Sequence, residues 1–381
     1  MSVYHQMGHD SINLVKDEDL KQFTGMVCSP VNYTETQVKD HIASLGDGFI
    51  SILDPQLYYP RSIRSNLRDW GYFPNDFDTA DSTNFYWWKE ICNKLIDTCE
   101  KIEATHVCSP CMVPTKFNSE YYKFYVDIGN CLYRLTQQRE IGFFQTAIID
   151  YNTIKDPGEV EMIASILSQT DGDSVYLFLR TDVEPRRELT DSDSLSGVMK
   201  LIRLLKGIGI NVFFGFCSSE FVLWKYAGAE MFATGKFFNL RRFTSSRFDE
   251  PPGNRGRGQL PYWFEMNLMA YLREGDLVRL HNEKLLHPDY IKNPYALAIL
   301  NHLKKSPDTP WVSLSWKNYL YTFARIEMDL KVQDIRQLLI NAENNWKIAE
   351  DRNILMEEVR NDGSWIRPWR IAINSFEKEF K

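Results

Sequence analysis

Seven short, almost wholly apolar runs recur through the first 233 residues, at 25–28, 49–53, 106–108, 143–149, 175–179, 211–214 and 230–233. Between them lie longer stretches, such as 159–169, 195–206 and 219–227, whose apolar residues repeat at spacings of three and four. Short apolar runs covered on both faces and joined by amphipathic helices predict parallel strands with right-handed crossovers. Two architectures satisfy that pattern, a TIM-like (β/α) barrel and an open doubly wound sheet. The barrel is preferred because such folds run to about 250 residues, close to the stretch 23–261. Seven strands are visible and an eighth is not. No GxGxxG follows the first strand, so the dinucleotide-binding fingerprint is absent.

Residues 1–22 carry no clear element and read as an N-terminal extension. After Thr234 the character of the chain changes. Positions 236–260 hold six basic and two acidic side chains, with Gly253, Gly256 and Gly258 interleaved, which predicts a long basic loop. From 262 to 381 the pattern is helical, at 262–273, 295–304, 314–330, 332–352 and 365–380, with Ser364 placed to cap the last helix. An all-helical C-terminal domain is therefore expected, with Trp311, Trp316, Trp346, Trp365 and Trp369 as its core.

Lys plus Arg is 44 and Asp plus Glu is 51, a formal charge of −7. That argues against a chain-wide attraction to nucleic acid or anionic lipid, so any basic footprint is local. No run approaches the roughly 18 to 20 apolar residues that cross a bilayer, and residues 1–10 lack the apolar stretch of a secretory signal. The expected location is the cytoplasm, with no membrane partner. Cys108 and Cys111 have the spacing of metal and redox sites, but no second ligand pair accompanies them. Cys28, Cys108, Cys111 and Cys217 are expected to be buried, no disulfide is expected, and neither a metal nor a cofactor is expected.

In a parallel barrel the loops leaving the carboxyl ends of the strands converge on one face. Reading those ends collects Asp54 and Gln56 after 49–53, Ser109 after 106–108, Asp150 after 143–149, Arg180 and Asp182 after 175–179, and Gly215 after 211–214. Gly235 and Lys236 follow 230–233, with Asn239, Arg241 and Arg242 close behind. Asp54, Asp150 and Asp182 are the candidate acid/base groups. Gln56, Ser109, Arg180, Gly215, Gly235 and Asn239 are candidate ligand contacts, and Lys236, Arg241 and Arg242 a candidate clamp for an anionic ligand. Arg241, Arg242, Arg247, Arg255 and Arg257 alternate with aromatic residues as nucleic-acid grooves do. Histidines are nearly absent from these ends, which disfavours metallohydrolase and serine-hydrolase chemistry.

The segment Gly215-Phe-Cys-Ser-Ser-Glu-Phe-Val-Leu-Trp-Lys-Tyr-Ala-Gly-Ala-Glu-Met-Phe232 resembles the late barrel segment of tRNA-guanine transglycosylases, a TIM-barrel family. The resemblance implies the fold and, for Asp54, a base-recognising or proton-transferring carboxylate. The family's nucleophilic aspartate falls at Ala233, and no cysteine follows Cys217 to supply its zinc motif, so the family's covalent route is not implied. The expectation is a barrel binding a nucleotide or nucleic acid at its strand-end face, transglycosylase-like or acting on a glycosidic or phosphate-linked bond. The alternative is a non-catalytic scaffold that meets a protein partner through the tryptophan-rich helices and the basic loop.

Overall fold

Eight parallel strands close into a barrel in chain order: β1 (Ser2–Gln6), β2 (Phe23–Cys28), β3 (Ile50–Leu53), β4 (His106–Cys108), β5 (Gly142–Asp150), β6 (Ser174–Arg180), β7 (Asn211–Phe214) and β8 (Met231–Thr234). The computed structural model describes residues 2–46, 48–249, 259–306 and 309–380. Arg255, Arg257 and the glycines of the basic loop lie outside these residues.

The missing strand is the first five residues of the described chain. Residues 1–22 are not an extension, because β1 pairs in parallel with both β2 and β8 and so closes the barrel. Its apolar signal is broken by His5 and Gln6, which are nonetheless buried. Gln6 faces the polar interior described below, where an apolar residue would be out of place.

Alternation along the strands sorts their side chains. Val3, Ile149, Leu177, Val212 and Phe214 point outward into the core shared with the helices. Tyr4, Phe144, Tyr176, Phe178 and Phe213 fill the interior as a packed ring system, with centroids 4.9 Å apart for Tyr4–Phe213, 5.2 Å for Phe144–Phe213 and 5.0 Å for Tyr176–Phe213. The barrel is thus a solid core and not a pore. Gly215 is part of that packing: a Cβ there would come 2.5 Å from the Tyr176 ring. Gly215→Ala should therefore cost about 1–3 kcal/mol through overpacking. Thermal unfolding checks this, and an unchanged midpoint would count against the close approach.

Beyond β8 the chain does not begin with a helix. Residues expected as helix 262–273 form an antiparallel hairpin, β9 (Trp263–Glu265) and β10 (Ala270–Leu272), with Met269 at φ +49° in the turn. The run Tyr-Trp-Phe favours an extended chain, and this local preference wins over the looser helical spacing. Helices Glu274–Asn282, Pro294–Lys305, Val312–Asp329, Ile335–Asp351 and Ile366–Phe380 follow. Trp311, Trp365 and Trp369 are buried, and Trp316 and Trp346 are half-buried.

This C-terminal part shares one apolar core with the outer layer of the barrel. The helix Ser192–Gly207 starts on Asp191, whose side chain accepts from the Ser194 N–H at 2.8 Å. It buries Leu195, Val198, Met199, Ile202 and Leu205 at helical spacing and packs against Ile366–Phe380. The Trp369 indole donates to the Leu189 carbonyl at 2.8 Å. Val312–Asp329 crosses the end of β8, where the Tyr319 and Thr234 hydroxyls are 2.8 Å apart. No described helix is long and apolar enough to cross a membrane.

Candidate functional site

The carboxyl ends of β1, β2, β3 and β6 surround a polar nest on the barrel axis, and Asp54 is its centre. Asp54 is fully buried. The turn after β3 sets it in place: Gln56 adopts φ +53°, which folds the chain back so that its N–H donates to Asp54 Oδ1 at 3.0 Å. The Tyr58 hydroxyl donates to the same oxygen at 2.7 Å. Asp54 Oδ2 has no partner. Burial pushes the carboxyl up to about 6, against the pull of the Tyr58 and Gln56 hydrogen bonds and of the Arg247 guanidinium.

Three unpaired donors accompany that unpaired acceptor. Gln56 uses its Oε1 to accept from the Val31 N–H at 3.2 Å, and its Nε2, without a partner at full hydrogen-bond geometry, lies near enough to Asp54 to help hold its pKa down. Gln6 accepts from the Tyr176 hydroxyl at 3.2 Å and leaves Nε2 free. Arg247 is buried, donates to Ser29 Oγ at 2.6 Å and to the Met7 carbonyl at 3.1 Å, and leaves Nε free. Buried polar groups are ordinarily satisfied, so this cluster of orphans is the candidate site. Its walls are aromatic: Tyr58 meets Phe178, Phe243 and Phe248 edge to face at 5.1, 5.3 and 5.7 Å.

The other sequence candidates fall in three different places. Asp150, Arg180 and Asp182 form a chain of charges on the rim, with Arg180 4.0 Å from Asp150 and 3.0 Å from Asp182. Asp150 and Arg180 are register partners of β5 and β6, which explains why strand-end counting brings them together. Ser109 is occupied in the β4–β5 junction, where its Oγ accepts from the Thr146 N–H at 2.8 Å and from Gln145 at 3.1 Å.

The clamp residues are engaged elsewhere in the chain. Lys236 donates to the Asp10 carbonyl at 3.1 Å and lies 4.3 Å from the Trp316 ring centroid, and burial pulls its pKa down to about 8. Arg241 is buried, donates to the Gly235 and Lys236 carbonyls at 2.9 and 3.0 Å, and stacks 3.4 Å from the Tyr319 centroid. Arg242 is buried beside Glu220 and donates to the Arg187 carbonyl. Gly235 has no room for a side chain, since a Cβ would meet Leu240 at 2.5 Å. Asn239 keeps an unpartnered Oδ1. Spacing along a sequence places these cations in a loop but does not reveal that the loop folds inward. Lys236, Arg241 and Arg242 are therefore buried scaffold, not an exposed phosphate-binding strip.

Four members of the nest escape a reading of strand ends alone. Gln6 and Tyr176 lie within strands, Tyr58 lies four residues past Asp54, and Arg247 sits far along the loop after β8. The signal that could have found Tyr58 is the Asp-Pro-Gln-Leu-Tyr string, which turns back on itself.

Among the described residues no group of three or more His, Cys, Asp or Glu side chains could hold a metal ion. All seven cysteines are free thiols, and burial pushes Cys108 and Cys111 well above the ordinary thiol range, as expected of inert core residues.

No protein-family model and no curated protein matches the chain. Solved structures do. A dihydrodipicolinate synthetase candidate from Pseudomonas aeruginosa is similar at 14% identity over 61% of this chain and 69% of that one, with a TM-score of 0.36. A sugar phosphate isomerase/epimerase from Parabacteroides distasonis is similar at 12% identity over 67% and 88%, with a TM-score of 0.37. The IOLI protein with a bound zinc atom is similar at 10% identity over 65% and 91%, with a TM-score of 0.35. None of these three is a tRNA-guanine transglycosylase. The barrel stands on its own strand pairing, and no residue's role is carried over from these proteins.

Proposed function

We propose that the barrel mouth binds a nucleobase, free or as part of a nucleoside or nucleotide, and that Asp54 transfers a proton to or from a ring nitrogen of that base. One observation carries the reading: a buried carboxylate oxygen without a partner stands beside unpaired amide donors, under aromatic walls. A planar heterocycle offers an N–H to Asp54 Oδ2 and carbonyl or ring-nitrogen acceptors to Gln6, Gln56 and Arg247, bordered by the aromatic cluster of Tyr58, Phe178 and Phe243. A residue near pKa 6 holds its proton on a minor fraction of molecules at neutral pH and can donate it to a departing base, as general acid catalysis requires.

The reaction class that fits is cleavage or exchange at a glycosidic bond. The resemblance of 215–232 to tRNA-guanine transglycosylases points the same way, with one restriction. Ala233, buried in β8, stands where that family carries its nucleophile, so the attacking group here comes from water or a second substrate. A scaffold role through the tryptophan-rich helices has less support, because Trp311, Trp365 and Trp369 are buried inside the chain.

Calorimetric titration with guanine, adenine, cytosine, their nucleosides and a single-stranded oligonucleotide tests the reading. At least one base or nucleoside should bind, and Gln56→Ala should weaken it at least tenfold. A salt-independent affinity assigns a free base or nucleoside, and a steep salt slope assigns a nucleic-acid strand. Absence of binding by every probe at millimolar concentration would end the proposal.

A further inference from the structure

A cleft of about 560 Å3 opens off the barrel axis, between the loop that follows β6 and the hairpin β9–β10. No member of the Asp54 nest lines it. Glu188 stands in its wall. The Glu188 Oε1 accepts from the Ser219 hydroxyl at 2.8 Å, whereas its Oε2 is shielded from solvent and has no donor. Glu220 lies behind it, with Arg242 Nη2 3.6 Å from a Glu220 Oε2 that also lacks a hydrogen bond.

Two carboxyl groups around one guanidinium, away from water, do not both ionise readily. Burial first and the Glu220 charge second push Glu188 up, and Arg242 lies by Glu220, so Glu188 is the member of the pair that favours its carboxylic acid form, with one donor and one acceptor at the same point. Phe238 and Tyr262 border the cleft at 90° to one another, with the Arg186 guanidinium 5.9 and 6.0 Å from their centroids. Arg186 is exposed and has no acidic partner among the described residues, unlike Arg360, which pairs with Glu184 at 2.7 Å.

We propose that this cleft is a second ligand site, taking a polyhydroxylated ring such as a sugar or cyclitol. Hydroxyl groups both give and receive hydrogen bonds, so one ring satisfies Glu188 and Arg186 together while its C–H groups meet the half-buried Phe238. An organic cation would call for an ionised carboxylate in place of the neutral Glu188. A simple anion would leave the aromatic faces unused and meet the acidic groups of the lining.

Saturation-transfer NMR with D-ribose, D-glucose and myo-inositol, on the full chain at pH 7, tests the site. At least one probe should receive saturation, and Gln56→Ala should leave that transfer unchanged, which separates this cleft from the barrel mouth. Glu188→Ala should weaken binding tenfold or more, whereas Glu188→Gln, which keeps a donor and an acceptor, should stay within about threefold. Three outcomes overturn the proposal: no transfer to any probe, transfer unaffected by Glu188→Ala, or Glu188→Gln as damaging as alanine, which would mean that charge and not hydrogen bonding is needed.

Discussion

Asp54→Asn should make the protein more stable above pH 6 while abolishing base binding and turnover. The sign follows from the direction of the shift. Asp54 has an ordinary pKa of 3.8 and a folded value of about 6, so between those pH values the folded state holds a proton that the unfolded chain has released. Stability therefore falls as pH rises through that window, by about 3 kcal/mol at 1.36 kcal/mol for each unit, and stays low above it. Asparagine behaves as a permanently protonated Asp54: it keeps an acceptor for Tyr58 and carries no buried charge. Below pH 4 the variant and the wild type should unfold together, and at pH 7.5 the variant should unfold at higher denaturant, by an equivalent of up to about 3 kcal/mol. Arg247 opposes this, since it loses a neighbouring negative charge, but its pull on Asp54 is already contained in the net upward shift. Denaturant titrations at the two pH values decide. A variant that is less stable at pH 7.5 would mean that Arg247 and Asp54 form a true ion pair and that Asp54 is structural. Such a trade of stability for a charged, unsatisfied group is what a functional site predicts.

The barrel was legible because hydrophobic continuity survives in seven of its strands, where both faces are buried. It failed at β1 because His5 and Gln6 are polar although buried, which breaks the apolar run by which a covered strand is recognised. The placement of Asp54 and Gln56 was legible by the same topological rule that collected Asp150, Arg180 and Asp182. That rule fixes which end of the barrel a residue occupies but not whether its side chain turns toward the axis. Asp54 turns inward under Tyr58, Asp150 spends its charge on Arg180, and Lys236 reaches outward to Asp10 and Trp316. Glu188 and Glu220 were beyond reach for another reason. They sit in loops after β6 and β7, and only their common partner Arg242, supplied by the loop after β8, makes them a pair.

The combined change Arg241→Ala and Arg242→Ala should unfold the protein before it affects any ligand. Both side chains are buried, although a sequence so rich in Arg and Phe reads as an exposed strip. Arg241 lies against three rings, 3.4 Å from the Tyr319 centroid, 4.8 Å from Phe238 and 5.1 Å from Tyr271, while its guanidinium ties the Gly235 and Lys236 carbonyls to the hairpin region. Charge-assisted hydrogen bonds contribute about 1.5–3 kcal/mol each, and a desolvated cation over an aromatic face about 2. Alanine at 241 alone should thus cost on the order of 3–5 kcal/mol after relaxation, and lysine should rescue little of it, because a point charge cannot reproduce the planar fork. Loss of Arg242 removes the guanidinium 3.6 Å from Glu220 and leaves a buried carboxylate uncompensated, a further penalty of about 3–5 kcal/mol. The two sites share the Glu188 surroundings, so the costs need not add in full, but even one of them is a large part of a typical folding free energy. Circular dichroism melts of Arg241→Ala, Arg242→Ala and the double variant provide the check. Wild-type melting of the double variant, together with loss of oligonucleotide binding, would restore this loop as an electrostatic contact surface and remove the buried scaffold role assigned to it.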